Sequence, residues 1–304
     1  MKIKSLLKKL FLLQETETLS SYNIYMKWNL RLGKYLYKKK YTTEDLVEEL
    51  KKIGIKNGDN IFLHSSWDSF YNYTGSVKEM VAALSDLVGE SGTIAMPAFP
   101  YTKGMKNAPV FNLKRTMSGA GMITEVFRRS EGVQRSRNVR HSVCAKGPLA
   151  DYLTKDHQLS LTCFDEMSPY YRICEKGFKI LSLGIPPYQI GTITHVVHSL
   201  ERTKLQYFAK FYNPNMIFDN KYIDYDGKEY TYKEMSEPTI TRWSYIKTKY
   251  LVKRYFDSKQ YRISKLSNLN IAIFNADYSL NRLRELAYKR IVIYYQPRFK
   301  KEDL

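Results

Sequence analysis

Strand-like and helix-like patterns alternate along the first two thirds of this chain, and no other feature constrains its fold as strongly. Residues 43–54 follow a helical pattern with acids in the first turn and lysines in the last, as a helix dipole favours. GDNIFLHSS then has the pattern of a turn and a strand, SVKEMVAALSDLVG that of a helix ending at Gly89, and TIAMPAF that of a second strand. The alternation continues to residue 201. It predicts an α/β fold, with a layered α-β-α body around a mixed sheet.

The charge of the chain divides it into three parts. Residues 1–40 hold ten Lys/Arg against two acids and residues 242–304 hold fifteen against five, whereas the 24 basic and 23 acidic residues between them nearly cancel. We therefore predict a basic N-terminal segment (1–41), a body (42–241) and a basic C-terminal extension (242–304) packed on or appended to the body. YIDYDGKEYTY predicts a β-hairpin in the body, and IAIF and IVIYY are strand candidates in the extension.

The basic N-terminus has a helical pattern that leaves its partner open. Apolar residues recur at helical spacing along residues 3–13, with lysines mostly off that face. We favour docking on the chain's own core or on a second copy in a homodimer, with an anionic membrane surface as the alternative; nucleic acid is not favoured. No run approaches the ~18 apolar residues of a membrane span, so we expect a cytoplasmic protein, or one held at the inner face of the membrane.

Histidines are the candidate general bases, because imidazole exchanges a proton near neutral pH. His157 lies in a polar loop and is expected to be exposed, whereas His64 follows an apolar strand and is expected to be a hydrogen-bonded structural residue. His141 lies among arginines and serines that could hold phosphates, although a basic loop is more often simply solvated. The local sequence alone singles out none of them.

A metal site is the alternative role for the remaining histidines. His195, His198 and Glu201 recur on one helical face, but their spacing differs from that of HExxH and no fourth ligand is evident, so we expect no metal. The three cysteines lack CxxC spacing and are predicted to be core thiols.

Four motifs occur in the order found in one enzyme family. LHSSWDSF followed by GTIAMPAF, then FNLKRTMSGAGMITEVFRRSEGVQRS, RHSVCAKGP and SPYYRICEKGFKILSLGIP together resemble the aminoglycoside N3-acetyltransferase family over roughly residues 43–201. Each motif is weak alone, and their order carries the resemblance. The pyrophosphate loop of the GNAT acetyltransferases is not found, so the expected fold is not the GNAT fold.

The resemblance implies an N-acetyltransferase that uses acetyl-CoA and no metal. At matching positions, His141 would deprotonate the acceptor amine and Glu175 would orient His141. The candidates for cofactor contacts are Ser65, Ser66, Arg135, Ser136 and Thr192, and those for the acceptor are His195, His198 and Glu201.

Departures from the family pattern bear on the acceptor. His198 occupies a position where the family's Thr-x-x-His-x-x-Glu element has glutamate, close to the acceptor site. We therefore favour an amino sugar of surface-polysaccharide biosynthesis, whose phosphate-bearing carrier suits the basic ends. A polycationic aminoglycoside, and hence antibiotic resistance, is the alternative. From another class, a non-catalytic membrane or nucleic-acid binder that keeps the fold also fits the charge.

Overall fold

A seven-stranded sheet lies at the centre of the computed structural model, which describes residues 2–11, 13–14, 19–100, 110–235 and 242–304. The strands are β1 (Asn60–Ser65), β2 (Thr93–Pro97), β3 (Phe111–Asn112), β4 (Gln134–Arg135), β5 (Val143–Lys146), β6 (Lys179–Leu183), β7 (Ile217–Ile223), β8 (Glu229–Met235), β9 (Arg242–Trp243), β10 (Tyr261–Leu266), β11 (Leu269–Asn275) and β12 (Tyr294–Gln296). The helices are α1 (Lys2–Leu10), α2 (Ser21–Leu36), α3 (Thr43–Lys52), α4 (Val77–Val88), α5 (Met122–Arg128), α6 (Ala150–Thr154), α7 (Pro169–Glu175), α8 (Ile193–Glu201), α9 (Gln206–Ala209), α10 (Tyr245–Tyr255) and α11 (Ala276–Tyr288).

The central sheet is mixed, as the alternating patterns predicted. Its strand order is β10-β11-β6-β1-β2-β5-β4. Strand β1 pairs in parallel with both β2 and β6, whereas the outer pairings are antiparallel. Strands β3, β7 and β8 form a second sheet, and β9 pairs with β12. The predicted hairpin is the antiparallel β7–β8 pair.

Helices cover both faces of the sheet because side chains alternate along its strands. In β1, Ile61 and Leu63 pack into a core cluster with α3, α4 and α5, whereas Phe62 packs into a second cluster with α6, α7, α8, α10 and α11. The predicted α-β-α layering is thus confirmed.

Helices α3 and α4 begin and end as their local sequence predicts. Thr42 and Asp45 form a capping box at the start of α3, and Ser76 and Glu79 form one at the start of α4, each satisfying backbone N–H groups that lack helical partners. Gly89 ends α4 with a φ of 66°, a left-handed conformation that glycine adopts without strain.

The basic C-terminal residues build part of the central sheet. Strands β10 and β11 extend it beside β6, and α11 packs against α7 and α8. The IAIF segment lies in β11, as predicted, and the IVIYY segment contributes only the start of β12. The division of the chain at residues 41 and 241 stays a prediction.

Two further expectations concern the burial of the cysteines and the length of the apolar helices. Cys144, Cys163 and Cys174 are all buried and form no disulfide, as predicted. Within the described ranges, no helix is both long enough and apolar enough to cross a membrane.

Candidate active site

A cavity of about 340 Å³ lies at the carboxyl ends of the parallel strands β1 and β2. Ser65 at the end of β1, Pro97 at the end of β2 and Ile185 just beyond β6 line it. The carboxyl ends of parallel strands lie at the same edge of a sheet, and α/β proteins commonly bind ligands there. Thr192 and His195, from the start of α8, complete this wall. The cavity therefore gathers Ser65, Thr192 and His195 of the residues predicted from the sequence.

His195 is held by a hydrogen-bonded chain of buried side chains. Its Nδ1 lies 3.0 Å from Nε2 of His198, and Nδ1 of His198 lies 2.7 Å from the hydroxyl of Tyr212. Burial, with His195 adding to it, holds the pKa of His198 well below its ordinary value, so His198 is neutral. Burial also raises the pKa of Tyr212 well above 10, so its hydroxyl stays protonated.

The direction of these hydrogen bonds decides the tautomer of His195. If Nδ1–H of His198 donates to Tyr212, then Nε2 of His198 accepts from Nδ1–H of His195. His195 then carries its lone pair on Nε2, the atom that a general base needs. These hydrogen bonds favour His195 as the general base, whereas the sequence had predicted that it binds the acceptor.

His141 contacts the same phenyl ring as His195. The His195 ring stacks on Phe164 at a centroid distance of 4.9 Å and an interplanar angle of 20°, and the His141 ring lies 4.6 Å from Phe164. The backbone N–H of His141 donates to Oδ1 of Asn138 over 2.7 Å, which fixes the turn before β5. His141 is not among the described residues that line the cavity.

The structure does not bring Glu175 to His141. The hydroxyl of Tyr152 donates to Glu175, whose side chain is 42% exposed and lies 4.0 Å from the ammonium group of Lys176. Tyr170, five residues earlier on α7, is the residue of this helix near His141. Five residues turn a helix by about 140°, so Glu175 points elsewhere. The predicted orienting pair is therefore not observed.

Arg135 is a structural residue and not a cofactor ligand. Its guanidinium group is buried, stacks over Phe111 at 4.5 Å and donates to the carbonyl oxygens of Thr116 and Ala98 and to the hydroxyl of Ser142. Burial lowers its pKa to about 10. The predicted phosphate contact would require breaking these internal hydrogen bonds, so the structure corrects it.

Ser136 and His157 form a buried pair, which overturns two predictions. The Ser136 hydroxyl accepts from the backbone N–H of Val143 and lies 2.8 Å from Nδ1 of His157, so it does not face a cofactor. His157 is buried, its Nε2 lies 3.1 Å from the Cys163 carbonyl oxygen, and desolvation lowers its pKa to about 3. The expectation that His157 is exposed was wrong because this polar side chain finds its partners inside the fold.

His198 and Glu201 are also buried, which argues against contact with the acceptor. The Glu201 carboxylate accepts from Nε of Arg284 over 2.5 Å and from the hydroxyl of Tyr288 over 2.7 Å. These bonds fasten α11 to α8. Among the described residues that line the cavity, His195 is the hydrogen-bond partner of His198.

Two polar groups of the cavity wall were missed from the sequence. Nε2 of His64 and Oε1 of Gln189 are buried, line the cavity and have no hydrogen-bond partner among the described residues. Desolvation lowers the pKa of His64 to about 4. The hydrogen-bonded histidine expected at this position is not observed, since Nε2 has no partner among the described residues. A Cβ built on Gly191 would lie 2.5 Å from this atom, so glycine at position 191 leaves room for the ring. Ser66 donates its backbone N–H to the Leu183 carbonyl.

Sequence comparison relates most of the chain to one family. The family described as Aminoglycoside 3-N-acetyltransferase matches residues 62–286. An aminoglycoside N(3)-acetyltransferase III from Salmonella is 30% identical over 162 residues, which cover 48% of this chain and 56% of that protein. The SPbeta prophage-derived aminoglycoside N(3')-acetyltransferase-like protein YokD of Bacillus subtilis is 29% identical over 47% of this chain and 60% of that protein. The chain thus spans somewhat more than half the length of the curated relatives it matches.

Solved structures share the fold over a larger part of the chain. The complex of AAC-IIIb with CoASH superposes with a TM-score of 0.66 and 22% identity, covering 83% of this chain and 98% of that one. AAC-VIa bound to sisomicin gives a TM-score of 0.64 and 19% identity, covering 83% and 99%. The layered α/β architecture is therefore common to this chain and these enzymes.

Proposed function

This chain belongs to the aminoglycoside 3-N-acetyltransferase family, and from that premise we propose that it transfers the acetyl group of acetyl-CoA to an amino group of an amino sugar. The observation that carries the proposal is the placement of His195 in the cavity wall, hydrogen-bonded to a neutral His198. A protonated amine has no lone pair for attack on an acyl carbon, so the reaction needs a base at this position.

His195 is the base that the geometry favours. When Nδ1–H of His198 donates to Tyr212, the proton of His195 lies on Nδ1, and its Nε2 accepts the proton of the acceptor amine. Phe164 holds the plane of the ring by stacking. His195 then passes the proton to the departing thiolate, which leaves the imidazole ready for another cycle.

The cavity wall suits the acyl donor. Acetyl-CoA, when bound, supplies a thioester carbonyl that a neutral amine can attack. Oε1 of Gln189 can accept an amide N–H, and Nε2 of His64 lacks a partner as well; a ligand with amide and carbonyl groups would satisfy such buried atoms. The hydroxyls of Ser65 and Thr192 line the same wall and stay candidates for contacts to the cofactor, with Ser66 next to them.

His141 is the second candidate for the base. It was the assignment implied by the family motif, and its ring touches the same Phe164 that supports His195. His195 is preferred because it lines the cavity. His141 is not among the described residues that line it and meets the Phe164 ring at a tilt, whereas His195 stacks on that ring.

The charge of the cavity bears on the acceptor. None of the described residues that line it carries a carboxylate, whereas a polycationic aminoglycoside is best bound by acidic groups. We therefore propose that the acceptor is an amino sugar linked to a phosphate-bearing carrier, of the kind used in the synthesis of surface polysaccharides. An aminoglycoside is the alternative, which the names of the relatives and the sisomicin complex support.

The test is release of free thiol from acetyl-CoA in the presence of aminoglycosides and of nucleotide-linked amino sugars. His195→Ala should lower kcat by about a hundredfold or more, and His141→Ala by much less. A larger loss in His141→Ala would overturn our assignment of the base.

The same assay decides the acceptor and the reaction class. A lower KM for the nucleotide-linked sugars supports the proposed acceptor, and a micromolar KM for an aminoglycoside contradicts it. If no amino sugar elicits thiol release, the acetyltransferase proposal fails and the non-catalytic binder is favoured.

A further inference from the structure

Helix α2 presents large apolar side chains to the outside of the molecule. Four residues at helical spacing are between 39% and 77% exposed, namely Trp28, Leu32, Tyr35 and Leu36. Elsewhere the helix contacts the rest of the chain: Tyr25, one turn before Trp28 on the same stripe, lies 5.1 Å from Tyr245, and Gly33 abuts Tyr71. The four exposed residues from Trp28 to Leu36 are therefore a part of this stripe that the core of the chain does not cover.

A row of cations runs beside this stripe. Lys27, Arg31 and Lys34 follow each other at intervals of four and three residues, which places them on one side of α2, and Lys38 follows two residues after the helix ends. Helix α2 contains no acidic residue. The apolar stripe and the basic row thus lie side by side, as in helices that bind at a lipid interface.

Helix α10, from the other basic end of the chain, adds to the same region. Ile246 and Tyr250 are 69% and 62% exposed, and Lys249 and Lys253 share their helical face. This helix also lacks acidic residues. We call the outward faces of α2 and α10 the α2–α10 surface.

Direct contacts hold the two helices next to each other. The backbone N–H of Tyr245 donates to the hydroxyl of Ser21 over 3.2 Å, and Tyr22 lies 5.8 Å from Trp243. The fold therefore joins in one region the two ends that hold most of the excess positive charge in the sequence.

We propose that the α2–α10 surface docks on an anionic phospholipid bilayer. Exposed aliphatic and aromatic side chains need an apolar cover, and acyl chains supply it while lipid phosphates meet the lysines and arginines. Trp and Tyr are favoured at the interface between headgroups and acyl chains. The proposal rests on this charge and exposure, and it does not depend on the proposed acetyl transfer.

The other occupants match the surface less well. A second copy of the chain would bring one basic face against another, and like charges facing each other oppose association. A nucleic-acid backbone would neutralise the cations but would leave Leu32, Leu36 and Ile246 uncovered, since proteins bind it chiefly by charge.

Docking in this way would bring the bilayer close to the cavity. Tyr22 of α2 and Trp243, two residues before α10, line the cavity wall. An acceptor carried on a lipid would therefore meet the cavity at the membrane surface.

The experiment is sedimentation of the full chain with vesicles of phosphatidylcholine alone and of phosphatidylcholine mixed with phosphatidylglycerol. We expect binding to the mixed vesicles only, weakened by salt. Arg31→Glu and Lys34→Glu should each weaken binding by roughly fivefold or more, because a basic residue near an anionic surface contributes about that factor. Leu32→Glu should also weaken it.

Leu159→Glu is the matched control, because Leu159 is 63% exposed and lies outside the α2–α10 surface. It should bind as the wild type does, and circular dichroism should be the same for all variants. Equal binding to both kinds of vesicle, or wild-type binding by Leu32→Glu and Arg31→Glu, overturns the proposal. So does a dimer in light scattering that Leu32→Glu dissociates, since a second copy would then cover the surface.

Discussion

Nδ1 of His195 lies 3.0 Å from Nε2 of His198, so a second imidazole, and not a carboxylate, holds the histidine that faces the cavity. A carboxylate in this position would stabilise the imidazolium by its charge. The neutral His198 instead orients the ring without favouring its protonation. The consequences of this pairing can be measured.

Replacing His198 by glutamate should move the pH dependence of the reaction. A negative charge next to His195 favours the protonated ring, so the acid limb of kcat/KM against pH should move to higher pH by about one unit or more. His198→Gln, which adds no charge, serves as the control and should leave the limb in place. An unchanged limb in His198→Glu would contradict the assignment of His195 as the base.

Removing the hydroxyl of Tyr212 should weaken the hydrogen bonds that orient His198 and His195. Tyr212→Phe leaves Nδ1 of His198 without its partner at 2.7 Å, and an unsatisfied buried polar group costs about 1–3 kcal/mol of stability. Urea unfolding measures that loss, and kcat should fall while the KM for acetyl-CoA changes little. Wild-type kcat in a correctly folded variant would show that the tautomer needs no such support.

Arg135→Lys should destabilise the protein without affecting cofactor binding. Lysine cannot reach the two carbonyl oxygens and the hydroxyl that the guanidinium group bridges, so the free energy of unfolding should fall by about 1–3 kcal/mol. The KM for acetyl-CoA should stay at the wild-type value. A KM raised tenfold with unchanged stability would restore the phosphate-binding role predicted from the sequence.

Acid should destabilise the fold in part through His157. Its pKa is lowered from 6.5 to about 3 in the folded chain, so between these values the unfolded chain binds a proton that the folded chain does not. Stability is therefore lost as the pH falls below about 6.5, by up to about 1.4 kcal/mol per pH unit. Urea unfolding at several pH values should show a shallower loss for His157→Gln, although that variant is less stable at neutral pH. If the free energy of unfolding falls equally with pH in His157→Gln and in the wild type, His157 does not contribute to the loss of stability in acid.

Glu175→Gln should leave the reaction nearly unchanged. The carboxylate is 42% exposed and bonded to Tyr152, so kcat/KM should stay within about twofold of the wild type, as expected for a group that takes no part in proton transfer. Thiol release measures it. A hundredfold loss would show that Glu175 supports the base, as the family motif had implied.

Local sequence was enough to predict the main helices and strands between residues 43 and 201, but not α2, α10 or α11. The capping pairs at Thr42 and Ser76, the glycine at the end of α4 and the apolar periodicities involve residues a few positions apart, and such short-range signals are readable without knowledge of the tertiary structure. The family resemblance added the reaction class and two histidines that both contact Phe164.

Only the tertiary structure decided which polar residues face the cavity. Arg135, Ser136 and His157 lie in polar, basic sequence, yet they are buried because their partners come from other strands and loops. Glu201 meets Arg284, 83 positions away, and α2 meets α10 from the opposite end of the chain. Hydrophobic and polar patterns specify that a residue has a partner, but the choice among distant partners is made by packing, which no local pattern encodes.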